Sequence, residues 1–229
     1  WPGRPALGGP PRFHQKGNPM QIKHLVFDMG NVLIQYNAQY YLEKYVPDEA
    51  DRVLLMREVF QSVEWVRMDH GTITEAQAVA ASCTRLPARL HDTAALLYRT
   101  WNQDIPPVPG MESLIARLKA AGYSIYLLSN TSVRYHEFRK NIPTLRWFDG
   151  EFISADWHLL KPDPAIFRTF CQHFGLVPAQ CLFVDDLPAN VYGAQCAGME
   201  GVVFYSDAED LEQRLARYGV KTAKKGVET

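Results

Sequence analysis

His24-Leu25-Val26-Phe27-Asp28-Met29-Gly30-Asn31-Val32-Leu33 is a short apolar run that breaks first on a carboxylate and then on a glycine. Such a run reads as a buried strand passing into a loop, which leaves Asp28 where strand and loop meet. Two later runs end the same way, Leu127-Leu128-Ser129-Asn130-Thr131 and Leu182-Phe183-Val184-Asp185-Asp186. A fourth segment, Leu160-Lys161-Pro162-Asp163-Pro164, sets a lysine before a proline. In an open parallel sheet, ligands bind beyond the carboxyl ends of the strands, near the point where strand order reverses. A single Asp after a strand is commonly a cap or turn residue. Here Asp28, Ser129 and Asp185-Asp186 converge on one crevice, and that convergence argues for a reactive site.

On either side of these segments helices and strands alternate, which is an α/β pattern. Leu25 to Phe27, Ile125 to Leu128 and Cys181 to Val184 are continuous rather than alternating, as strands buried on both faces should be. Phe152-Ile153 and Val202 to Tyr205 complete an expected five-stranded parallel sheet. Met111 to Ala121, Pro164 to Phe174 and Pro188 to Ala197 carry helical spacing, with Gly122, Gly175 and Gly198 as C-terminal stops. From about Tyr36 to Asp104 strand signals are missing. Helices are expected there over Asp48 to Gln61, Thr74 to Ser82 and Leu90 to Asn102, as a separate helical subdomain.

The 229 residues are 47% hydrophobic and 21% charged, enough for one or two globular domains with a sizeable core. A formal net charge of -1 without a basic stripe gives no footprint for nucleic acid or an anionic membrane. No apolar stretch approaches the ~20 residues that span a bilayer. The expected partners are small polar molecules, and the protein itself a monomer or homodimer. Cys83, Cys171, Cys181 and Cys196 lack Cys-x-x-Cys spacing, and no secretory signal is read, so a cytoplasmic protein with cysteines packed in its core is expected. Residues 1–19, rich in Pro and Gly, are set aside as a tag remnant or disordered extension, with Met20 as the native start. The polar tail 221–229 is expected to fray.

In order, the four segments resemble the signature motifs of the haloacid dehalogenase (HAD) superfamily, most of whose members are magnesium-dependent phosphatases acting through an aspartyl-phosphate. The resemblance runs from about Ile22 to about Tyr218. It implies a Rossmann-like three-layer core of residues 20–35 and 105–220. Residues 36–104 would form a small helical cap, with Pro106-Pro107-Val108-Pro109-Gly110 as the return hinge. It implies Asp28 as nucleophile and Lys161 as the lysine that neutralises nucleophile and phosphate. Ser129 and Asn130 would bind the phosphate of a small phosphorylated metabolite, at what reads as the start of a helix. Mg²⁺ would be held by the Asp28 carboxylate, the Gly30 carbonyl and the Asp186 carboxylate, with Asp185 holding a metal-bound water and Asn190 behind the ligands. Asp185-Asp186 also suit the N-terminus of a helix opening at Pro188.

One position departs from the pattern. Typical HAD phosphatases carry a second aspartate two residues after the nucleophile, as general acid and then base, and here that position is Gly30. The run from Asp28 to Val32 is similar to a subgroup that includes sugar-phosphate phosphatases, among them a bacterial α-glucose-1-phosphate phosphatase, which implies a sugar phosphate as substrate. General acid-base catalysis contributes ~10²- to 10⁴-fold, so either the leaving group is good, as an anomeric hydroxyl is, or another residue protonates it. Asp69 and His70 are the candidates from the helical segment, with His70 titrating in the useful range. A solvent-facing turn is the competing reading for both, and His136 is a further candidate with the same competitor. Two alternatives stay open. One is a phosphometabolite-binding protein with little or no turnover, which Gly30 makes credible. The other is a metal-free haloacid dehalogenase, which has no need of Asp185-Asp186 and usually carries an aromatic residue where Gly30 stands. A phosphomutase is disfavoured, because it needs the missing aspartate.

Overall fold

A computed structural model describes residues 21–223. In chain order its elements are β1 (His24–Phe27), α1 (Ala38–Tyr45), α2 (Glu49–Leu55), α3 (Val63–Asp69), α4 (Glu75–Cys83), α5 (His91–Thr100) and α6 (Met111–Ala120). There follow β2 (Ser124–Ser129), α7 (Tyr135–Phe138), β3 (Gly150–Ile153), α8 (Ser154–Trp157), α9 (Pro164–Phe174), β4 (Cys181–Asp185), α10 (Pro188–Cys196), β5 (Glu200–Val203) and α11 (Ala208–Ala216).

The five strands form one parallel sheet in the order β3-β2-β1-β4-β5. Leu25 pairs with Ile125 on one side and Leu182 on the other. The chain leaves β1 for β2 and β3, then crosses back to β4 and β5, so strand order reverses at β1 and a crevice opens above the ends of β1 and β4. Successive strand residues point to opposite faces. Leu25, Phe27, Ile125 and Leu127 pack with Leu114, Ile115 and Leu118 of α6 and Leu211 of α11. Val26, Leu128 and Phe183 meet Ile166, Phe167 and Phe170 of α9 and Ala194 of α10. Both faces are covered, which is why the runs are apolar at consecutive positions. The fold is the α/β, Rossmann-like arrangement expected from the sequence.

Local signals set the helix ends. The Asp163 side chain accepts from the Ala165 N–H to cap α9, Pro164 opens its first turn, and Gly175 at φ 67° closes it. Thr74 and Gln77 form a capping box at α4. Between β1 and α6 the described residues carry α1 to α5 and no named strand. The helix expected over 48–61 is divided: α2 ends at Leu55 and the chain continues as a π-helix over Met56–Phe60. Arg85 ties this wider turn down, reaching Glu58 at 2.5 Å and Glu64 at 2.7 Å.

Two expectations are corrected. The start of the C-terminal tail is anchored rather than frayed, with Lys221 N–H donating to the Tyr123 hydroxyl and Ala223 N–H to the Arg117 carbonyl. Core packing holds for Cys171 and Cys181, whereas Cys196 is exposed and Cys83 half-buried. Residues 1–20 and 224–229, including the extension, the Met20 start and the rest of the tail, lie outside the described residues. No helix among the described residues is long and apolar enough to cross a membrane.

Candidate active site

Asp28 follows β1 directly, and its backbone N–H donates to the Val184 carbonyl at 2.9 Å, so sheet pairing fixes where its carboxylate emerges. Lys161 enters from the loop before α9. It is 4% exposed, not the solvated charge that a lysine before proline would usually be. Its ammonium lies 2.7 Å from Asp28 Oδ1, 2.7 Å from Asp185 Oδ2 and 3.1 Å from the Leu128 carbonyl. An ammonium has three protons, and these three acceptors use them all. The loop is held close by α10: a Cβ on Gly193 would come within 2.1 Å of the Pro162 carbonyl oxygen, so only glycine fits there.

Asp185, expected to hold a metal-bound water, is also bonded within the protein. Its Oδ1 accepts from the Leu187 and Asn190 amides, and its Oδ2 from Lys161 and Asn190. A carboxylate offers about four lone-pair sites, so Asp185 is saturated. It orients Lys161, and Asn190 orients it. The Asn130 side chain is likewise bonded within the protein. It pairs with the backbone of Lys161 in both directions, each bond 2.9 Å, as a neighbouring strand would. Ser129 and Asn130 do not open a helix: the chain runs on through a loop to α7 at Tyr135.

The groups left for a ligand are few. Ser129 is buried at the end of β2, and among the described residues Thr131 Oγ1 is buried without a partner. Both residues line a cavity of about 250 Å³, as do Asp28, Lys161, Asp186 and Asp69. A larger groove of about 540 Å³ beside Arg134 lacks such a cluster of carboxylates.

Oxygen atoms of Asp28, Asp185 and Asp186 lie within 4.8 Å of one another. With Asp185 saturated, Asp28 and Asp186 remain, and Mg²⁺ commonly takes one or two carboxylates together with substrate phosphate. Three carboxylates face one ammonium, so the site is short of positive charge. Burial pushes Asp28 up to about 6, helped by Asp185 and opposed by Lys161. Burial also raises Asp186, against the Asn31 amide that donates to it at 3.2 Å. For Lys161, burial pulls downward, but the Asp28 and Asp185 charges outweigh it and the net direction is up. The ammonium stays charged, and a divalent cation suits the remaining deficit.

Of the two acid candidates, the structure brings Asp69 to the cavity and not His70. Asp69 ends α3, and burial raises its carboxyl to about 7, opposed by the Ser132 backbone N–H and aided by the nearby Asp28 charge. The peptide around it is clamped to the sheet domain: Ser154 Oγ donates to the Asp69 carbonyl at 2.5 Å, and His158 Nδ1 lies 3.0 Å from the His70 carbonyl. His136 pairs with Asp156 at 3.0 Å, away from the cavity lining.

Sequence reasoning missed Asn31, Tyr36, Trp65, Trp101 and Thr131. Asn31 adopts φ 54°, a left-handed conformation that Asn tolerates, and there its Oδ1 caps the Tyr36 N–H while its amide reaches Asp186. An Asn straight after a glycine was the available signal. The three aromatic residues gave none, being far apart in sequence.

The comparisons with known proteins agree with this geometry. A sesquiterpene phosphatase of Aspergillus oryzae is 26% identical over 182 residues, 79% of this chain and 89% of that protein. A chloroplast flavin mononucleotide hydrolase of Arabidopsis thaliana is 29% identical over 114 residues, 50% of this chain; the chain spans only 46% of that relative. A HAD family enzyme of Bacteroides thetaiotaomicron, solved with magnesium and inorganic phosphate, shares the fold at a TM-score of 0.61 and 22% identity, covering 83% of this chain and 98% of that one. The haloacid dehalogenase-like hydrolase family matches residues 22–198, which contain every motif that meets at the cavity. That match spans well over half of the chain, and the chain belongs to the haloacid dehalogenase-like hydrolases.

Proposed function

We propose that this hydrolase cleaves a small phosphoric monoester in two steps, with Asp28 as the nucleophile. The observation that carries the reading is the Lys161 ammonium seated 2.7 Å from both Asp28 and Asp185, a fixed positive charge beside a carboxylate at a strand end. Its relatives point the same way, since curated proteins similar to it are phosphatases. In the first step an Asp28 oxygen attacks phosphorus, the bond to the alcohol oxygen breaks, and the leaving oxygen takes a proton from Asp69. In the second, water adds to the phosphoryl group as Asp69 accepts its proton, which frees inorganic phosphate and restores both carboxyl groups. Such transfer depends chiefly on positioning and electrostatics.

The residues divide that work. Lys161 neutralises Asp28 and the incoming phosphoryl oxygens, while Asp185, Asn190 and Asn130 hold Lys161 in place. Ser129 and Thr131 supply hydroxyls to the phosphoryl group. Mg²⁺, held by Asp28, the Gly30 carbonyl and Asp186, would add positive charge at the phosphoryl oxygens when bound. The helical segment 36–104 acts as a cap, delivering Asp69 and shedding water. The resemblance of the first motif favours a sugar phosphate, whereas the relatives' names include esters with apolar or flavin bodies; the phosphate end of the site serves any of these. The test is phosphate release from an aryl phosphate, whose good leaving group needs no acid, with Mg²⁺ and with EDTA. Metal-dependent turnover is expected. A phosphometabolite-binding protein would give none.

A further inference from the structure

The catalytic cavity has a second kind of lining that the phosphoryl chemistry does not use. Tyr36, Trp65 and Trp101 line it together with Met29, Ile34 and Leu187. The three rings form one cluster, Trp101 meeting Tyr36 edge-on at 5.8 Å and Trp65 at 5.6 Å. Packing behind them fixes their positions: Trp65 stacks on Tyr98 at 5.8 Å, and Trp101 meets Phe138 at 5.3 Å. Aromatic rings so held present a rigid apolar wall, which costs little ordering entropy when a ligand lies against it.

The polar groups are nearly all committed. Asn31 is occupied by Asp186 and the Tyr36 N–H, Asn190 by Asp185, and Asn130 by Lys161. Once the phosphate and metal groups are set aside, the side-chain polar groups left on the lining for a substrate body are few: the Asp69 carboxyl, the Tyr36 hydroxyl and the single indole N–H donors of Trp65 and Trp101. Of these, Asp69 already serves the leaving oxygen in the proposed reaction. A sugar would bring several hydroxyls, each both donor and acceptor, against a wall that offers few donors and almost no acceptors, and hydroxyls left unpaired there cost affinity. An apolar body would lose nothing.

We infer that, given the phosphatase reading on which this rests, the enzyme selects phosphomonoesters whose alcohol part is apolar and flat, seated against Tyr36, Trp65 and Trp101. A volume of about 250 Å³ keeps that body compact.

The test compares primary-alcohol esters that share leaving-group chemistry, 2-phenylethyl phosphate and glucose 6-phosphate, with acetyl phosphate as a substrate that has no apolar body. The expected kcat/KM for the phenylethyl ester exceeds that for glucose 6-phosphate by about tenfold or more, the difference lying in KM. Trp65→Ala should narrow that ratio, with a thermal melt to check its fold; if the variant does not fold, the wild-type ratio still decides. Release from acetyl phosphate with equal or better use of glucose 6-phosphate would overturn the inference alone. No release from any of the three would overturn the phosphatase reading and this inference with it.

Discussion

Lys161 gives all three of its protons to buried acceptors, so removing it acts on stability as well as on turnover. Lys161→Ala leaves Asp28 and Asp185 facing each other without their counter-charge. Breaking a buried pair in this way costs about 3–5 kcal/mol, and the variant should show that loss in urea denaturation together with loss of nearly all phosphate release. At Asp69 the expected effect is chemical. Asp69→Asn should lower kcat for an alkyl phosphate by about 10²- to 10⁴-fold and for an aryl phosphate far less. The acid must be protonated to act, so activity on alkyl esters should fall as pH rises through about 7, a limb absent from the variant's pH profile. At Gly30 a Cβ would meet only the Tyr36 Cβ, at an ordinary 3.9 Å, so a side chain can be placed there. Gly30→Asp in the Asp69→Asn background should recover part of the lost rate. Asp28 stood out in the sequence because it closes an apolar run, whereas Lys161 was marked only by the resemblance of its segment to a family motif. The commitments of Asp185 and Asn130 did not stand out, because their partner lies 24 and 31 residues away and is met only in the folded crevice.

The helical segment meets the sheet domain through a contact that glycine alone allows. Gly71 sits at φ 72°, and a Cβ there would lie 2.2 Å from the Ala155 carbonyl oxygen. Gly71→Ala should therefore cost about 1–3 kcal/mol and, by displacing the peptide that carries Asp69, depress turnover of alkyl esters more than of aryl esters. Within the same segment, Arg85 hydrogen-bonds Glu58 and Glu64 and holds both carboxyls below the usual carboxylate range. A lowered folded-state pKa stabilises above the unfolded value of about 4.3 and stops doing so as pH falls through the folded value. Acid titration of the melting temperature should show that loss, and Arg85→Ala should flatten it. The sequence marked most of these helices through their caps and apolar spacing. It did not reveal the π-helix at Met56–Phe60, because the widened turn is held by Arg85 from α4's far side rather than by local propensity.

At the scale of the molecule, strand runs without alternation announced a sheet covered on both faces, and that alone placed Asp28, Ser129 and Asp185 at one edge of it. The order β3-β2-β1-β4-β5 supplies the reversal that opens the crevice. The aromatic wall was not legible, since Tyr36, Trp65 and Trp101 are far apart along the helical segment and meet only when that segment folds. The proposed reaction depends on one chemical event, phosphoryl transfer to Asp28. It is tested most directly by mixing the protein with an aryl phosphate and Mg²⁺, quenching in acid during turnover, and measuring the intact and peptide masses. One phosphoryl group on the peptide that contains Asp28, absent in Asp28→Asn and in EDTA, is the expected result. Turnover with no phosphoryl group trapped, together with an Asp28→Asn variant as active as the wild type, would contradict it.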